Sequence, residues 1–163
     1  MNRSRLLKLS LLASLFLIPE VNAAGDGPKQ PGAPAWQRCA VCHLAGAEGI
    51  PGAYPPLKGR VATIASSDLG RKYLVAVVGL GLAGRISIDG VLYQGVMPAQ
   101  ASTQDVQGIA DVLNYTIEVI DATGVEANWR PFSAEEVQTI LGNGDLKTIQ
   151  DSARLRSQLF GRQ

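Results

Sequence analysis

Of its 163 residues, two are cysteine, one is histidine and two are methionine, and aromatic side chains make up only 6%. A single histidine excludes a histidine-rich metal centre and leaves no second imidazole to act as a general base. Two cysteines cannot build a disulfide framework. Neither a G-x-S-x-G elbow nor a phosphate-binding glycine loop is present, and Gly79-Leu80-Gly81 alone is too short a signal to stand for one. Positive charge is also missing. Residues 1–23 hold three of the 15 Lys plus Arg and one of the 14 Asp plus Glu, so the remainder carries 12 against 13. Without a basic stripe the electrostatic term that dominates nucleic-acid binding is absent, which excludes nucleic acid as a partner.

Long hydrophobic runs are lacking too. The one candidate, Leu9 to Ile18, is half of the about 20 residues a membrane-spanning helix needs. It follows the basic start Arg3, Arg5 and Lys8 and precedes Val21-Asn22-Ala23, the small-residue pattern at which an export signal is cut. The expectation is a signal peptide over 1–23, cleaved after Ala23, with no membrane span once it is gone; the competing reading is an uncleaved anchor. The 140 residues left after removing 23 from 163 suit one compact domain.

The two cysteines stand together as Cys39-Ala40-Val41-Cys42-His43. C-x-x-C-H is the spacing of covalent c-type haem attachment: two thiols three positions apart on one helical turn each form a thioether to a vinyl group. The next residue then offers its imidazole to the iron, which makes His43 the expected proximal ligand. A simple disulfide, a redox dithiol and half of a zinc site are the alternatives. Zinc wants four ligands where this chain has two Cys and one His; a thioredoxin-like dithiol wants a βαβ setting; a disulfide leaves the adjacent His43 to coincidence. For the sixth iron position His43 is already used and Met97 is the one methionine beyond the start. It sits in Tyr93-Gln94-Gly95-Val96-Met97-Pro98, where Gly95 permits an unusual backbone path and Pro98 fixes φ, so a loop holding the sulfur against a ring is expected. The duller fate of a lone methionine is to fill a core.

These residues resemble the class I cytochromes c of bacterial periplasmic electron transfer, from about Ala33 to Ile120. Trp36 resembles the aromatic of that family's N-terminal helix, Ala53-Tyr54-Pro55-Pro56-Leu57-Lys58-Gly59 its proline-leucine loop, and Gly95-Val96-Met97-Pro98 its methionine loop. The resemblance implies that the Pro55 carbonyl accepts a hydrogen bond from the His43 ring, fixing its orientation and raising its basicity. It further implies a periplasmic location and a C-terminal helix of the domain crossing the N-terminal one, with Tyr115 or Leu113 near Trp36.

The expected fold is mostly α: a cytochrome c fold of three to five helices around one covalent haem, with a small β-hairpin before the methionine loop and an extra C-terminal helical tail. Residues 24–34 read as a Gly/Pro-rich leader, 35–122 as the cytochrome c domain and 123–163 as the extension. Helices are predicted from Ala35 to Cys42, from a Ser67-Asp68 cap to Gly79 or Gly81, and from Thr103 to Ile120, the last expected to be the longest. Asp89-Gly90 between Ile86-Ser87-Ile88 and Val91-Leu92-Tyr93 predicts the hairpin, which either shields a haem edge or is a solvated loop. Ser133-Ala134-Glu135-Glu136 reads as a capping box opening one tail helix, and Asp145 to Leu159 as another, expected to pack on the domain rather than fold on a partner or extend into solvent.

A haem iron closed by His43 and Met97 has no open position for substrate, so one-electron transfer and no catalysis are expected, at a positive potential. The resemblance and the extra elements favour a redox partner or haem subunit of a periplasmic dehydrogenase or reductase. The alternative is a five-coordinate haem that binds a small gas or reduces peroxide.

Overall fold

The computed structural model describes residues 30–125 and 129–161. The expected signal peptide and most of the expected leader lie outside the described residues. Six α-helices and one antiparallel hairpin follow in the order α1 (Ala33–His43), α2 (Val61–Ala65), α3 (Asp68–Leu80), β1 (Leu82–Ile88), β2 (Val91–Met97), α4 (Val106–Tyr115), α5 (Ala134–Gly142) and α6 (Ile149–Phe160). The architecture is mostly α with a small hairpin, as expected: four α-helices precede residue 123, within the expected three to five, two follow in the expected tail, and one helix is additional to those predicted by position. The additional helix, α2, has five residues, too few for apolar periodicity to register.

Local chemistry explains most boundaries. Ser67 accepts a hydrogen bond from the Gly70 N–H and starts α3, and Asp105 accepts one from the Gly108 N–H and starts α4. Thr103 therefore lies in a turn ahead of α4, not at its start. Beyond Tyr115 the helix widens into a π-helical stretch, Thr116–Ile120, so that the longest uninterrupted α-helix is α3. Gly79 does not end α3; a Cβ there would stand 2.9 Å from Leu141 Cδ1, so the glycine marks where α5 packs closely on α3. The hairpin runs longer than Ile86–Tyr93. It pairs Leu82 with Met97 through Ile88 with Val91, and Asp89 (φ 50°) and Gly90 (φ 79°) supply the two positive φ values of a tight turn. Met97 is accordingly the last residue of a strand, not part of a loop, because Tyr93 and Val96 extend the pairing that Ile86 and Ile88 begin.

Two apolar clusters form the interior. The larger runs through Val75 and Leu74 of α3, Ile109 and Leu113 of α4, and Ile117, and it includes Phe132, Val137, Leu146 and Leu155 from the C-terminal segment. The smaller joins Trp36 of α1 to Ala47 and Val112 of α4, with Tyr115 packed against it. Polar clamps fasten the C-terminal segment. The buried Arg71 guanidinium donates to both carboxylate oxygens of Glu136, at 2.7 and 2.6 Å, and to the Arg130 carbonyl at 2.8 Å, and it lies 3.8 Å from the Phe132 ring centre. Asn114 exchanges two hydrogen bonds with the backbone of Phe132, and the buried Ser152 hydroxyl donates to the Ala76 carbonyl at 3.1 Å. Glu136 thus gives its side chain to Arg71 and does not complete the capping box that Ser133 opens.

Candidate functional site

Cys39, Cys42 and His43 occupy the last turns of α1. Both cysteines are half-buried free thiols, and their spacing of three sets them on one side of the helix. Burial pushes the Cys39 thiol above its ordinary pKa despite its backbone hydrogen bond and the nearby Arg38 charge, so it stays protonated at neutral pH. Among the described residues no group of three or more His, Cys, Asp or Glu could hold a metal ion.

His43 closes the helix, 8% exposed. Leu44 then takes φ 66° while its N–H still bonds the Ala40 carbonyl, and the chain turns back so that the Gly49 N–H reaches the His43 carbonyl at 2.9 Å. A small loop follows, closed by reciprocal backbone bonds between Ile50 and Tyr54 at 2.7 and 2.8 Å. It delivers the Pro55 carbonyl to within 2.8 Å of His43 Nδ1. A carbonyl can only accept, so Nδ1 carries the proton and Nε2 the lone pair. Burial pulls the imidazole below its ordinary pKa, and the Pro55 bond only partly offsets this, so the ring is neutral at pH 7 with Nε2 ready to coordinate. Gly49 makes this path possible. Its φ is +68°, and a Cβ there would lie 2.4 Å from the Tyr54 carbonyl oxygen and 2.7 Å from the Pro55 carbonyl carbon.

Met97 comes from another part of the fold and is held by α3. It ends β2 half-buried, opposite Leu82. The Met97 carbonyl oxygen lies 2.4 Å from where a Cβ on Gly81 would stand, and just beyond it the Gln100 N–H bonds the Val78 carbonyl at 2.9 Å. The geometry therefore joins Cys39, Cys42, His43 and Pro55 into one cluster and supplies Met97 separately.

The donor set suits a haem: two free thiols, a neutral imidazole with one nitrogen oriented by a carbonyl, and a thioether. Apolar side chains of the same segments are left exposed, Leu44 at 39% and Ile50 and Tyr54 at 41% each, as surface for an apolar macrocycle to cover. A separate cleft of about 130 Å³, lined by Ala62, Arg71, Gly124 and Trp129 among others, contains none of the site residues.

Comparison with known proteins decides the family. The chain is 39% identical over 134 residues to a cytochrome c-552 of Thermus thermophilus, covering 82% of this chain and 86% of that protein. The chain belongs to the class I c-type cytochromes. A second Thermus thermophilus cytochrome c-552 is 41% identical over 109 residues, 67% of this chain and 82% of the relative. No family model matches. Like other c-type cytochromes this one carries a covalent haem c and transfers electrons, and the Cys39–Cys42 spacing fits the attachment. A match of 134 residues cannot fit within the first 122, so the first relative also shares part of the C-terminal segment.

Gly49 and Ala47 are functional positions that sequence reasoning missed. A φ of 63° at Ala47 carries no sequence signal, and its carbonyl accepts from both Leu57 and Lys58, at 2.9 and 3.1 Å, to hold the loop after Pro55. The close spacing of Gly49 and Gly52 is the one hint of a tight backbone there.

Proposed function

We propose that Cys39 and Cys42 form the two thioethers to the haem, that His43 Nε2 and Met97 Sδ are the axial ligands, and that Pro55 orients His43. The observation that carries this is the 2.8 Å hydrogen bond from His43 Nδ1 to the Pro55 carbonyl, which leaves a neutral imidazole with Nε2 as its coordinating atom one residue after the Cys pair. When bound, the haem supplies a one-electron ferric/ferrous couple. The protein's part is to hold both axial donors on fixed backbone, Met97 through α3 and His43 through the loop from Gly49 to Pro55, so that little rearrangement accompanies the electron. Two closed axial positions leave no place for a substrate, which supports a carrier rather than an enzyme.

The protein works in the periplasm, after export and cleavage following Ala23, and exchanges electrons with a dehydrogenase or reductase there. The basic start and the Leu9–Ile18 run support the first part. The exposed hairpin residues Leu92, at 48%, and Val96, at 71% and adjoining Met97, support the second by offering apolar contact area. Among the described residues no helix is long and apolar enough to cross a membrane.

The test is the ferric absorption spectrum of the haem-loaded protein and of Met97→Ala. The weak long-wavelength band of iron–thioether bonding is expected in the parent and lost in the variant. A high-spin parent spectrum, or a band that survives the substitution, removes Met97 from the iron and favours the gas-binding or peroxide-reducing alternative.

A further inference from the structure

Asp121 follows the π-helical end of α4 and is 1% exposed. Its Oδ1 accepts a hydrogen bond from the Gly59 N–H at 2.6 Å. Its Oδ2 is also buried and has no hydrogen-bond partner among the described residues. A carboxylate this deep with a single donor costs stability, so packing alone does not account for it. Its backbone is fixed on both sides, the N–H on the Thr116 carbonyl at 2.9 Å and the carbonyl on the Gly124 N–H at 3.0 Å. The π-helical stretch Thr116–Ile120 that precedes it is of a kind frequent at functional sites.

Its partner belongs to the loop that orients His43. From Pro55 onward that loop has two anchors. The Ala47 carbonyl takes the N–H groups of Leu57 and Lys58. Asp121 takes that of Gly59, which stands at φ +76°, a conformation few side-chain-bearing residues would hold unaided. We infer that Asp121 is a positioning residue for His43: it pins the far end of loop 55–60 so that the Pro55 carbonyl keeps its aim at Nδ1. The inference rests on His43 being an axial ligand, as proposed above.

The experiment uses haem-loaded protein and follows, by NMR, solvent exchange of the His43 Nδ1 proton relative to the backbone amides of Val75 and Ala110, which are fully buried in the core. In D121A the Nδ1 proton is expected to exchange at least tenfold faster while the two core amides keep their relative rates. In D121N, which retains an oxygen acceptor for Gly59, exchange is expected to return to the parent rate. If D121A does not fold, D121E replaces it: the carboxylate then stands one methylene away, and faster Nδ1 exchange supports the inference while a parental rate overturns it. Should D121A melt earlier yet leave the Nδ1 rate unchanged against the core amides, Asp121 is structural only and the inference fails alone. A parent whose His43 does not ligate the iron removes the proposed function and the inference together.

Discussion

Gly49 and Trp36 constrain the His43 region from opposite sides, one through the backbone and one through packing. Gly49→Ala forces a left-handed alanine and a methyl into the path of Pro55, so stability is expected to fall by roughly 1–3 kcal/mol. The midpoint potential should rise as the Pro55 bond weakens and His43 loses basicity; an unchanged potential would show that the loop absorbs the methyl without moving Pro55. Trp36 is 3% exposed, and its indole N–H donates to the Ala45 carbonyl at 3.0 Å, tying α1 to the turn after His43. Trp36→Ala is expected to cost about 3–5 kcal/mol in denaturant unfolding, and Trp36→Phe, which loses mainly that hydrogen bond, about 1–2 kcal/mol. The residues readable from sequence were those whose chemistry is contiguous: Cys39, Cys42 and His43 form one motif, and Trp36 and Pro55 stood out through resemblance. Gly49 was not readable because its role is a steric clash that exists only once Tyr54 folds back on it. Asp121 was not readable because its partner is 62 positions away.

Among the elements, the helices with strong apolar stripes and polar caps, α3 through α6, were legible to within a few residues, and the Asp89-Gly90 turn specified the hairpin. What local pattern could not supply was the end of α4, where Thr116–Ile120 forms a π-helical stretch, and the reach of β2 to Met97. Nor could it reveal that Glu136 serves Arg71 instead of its own helix. That choice has a pH signature. Burial pushes the Glu136 carboxyl upward, but the hydrogen bonds and charge of Arg71, with those of Arg130, outweigh it and hold the group below the ordinary carboxylate range. A depressed carboxyl stabilises the fold fully above its unfolded pKa, and the contribution is lost as pH falls through the folded value. Thermal melting between pH 7 and pH 3 should therefore show a steeper loss of Tm in the parent than in Glu136→Gln; parallel curves would mean that the clamp carries no charge-dependent stability. The Asp151 carboxylate, which accepts from the Lys147 and Thr148 N–H groups to cap α6, is held down to about 2 by those bonds, so its cap should persist into strongly acidic solution.

For the whole molecule, α5 and α6 are part of the fold and not an appendage. Phe132, Val137, Leu146 and Leu155 are buried in the same cluster as the domain's own helices. At roughly 1.5–3 kcal/mol each, four such side chains amount to about 6–12 kcal/mol, the size of a whole domain's stability at about 5–15 kcal/mol. A chain ending at Val125 is expected not to fold or to hold its haem stably, as circular dichroism and the haem absorption spectrum would show; a cooperative melt near the parental Tm would make the segment dispensable. The proposed function is that of an electron carrier whose haem is closed on both sides. The most direct test is a spectroelectrochemical titration of the haem-loaded protein with carbon monoxide added to the reduced form. A single reversible one-electron step, low-spin spectra in both states and no carbon monoxide adduct are the predicted result. A high-spin form in either state, or ready formation of the adduct, would contradict it.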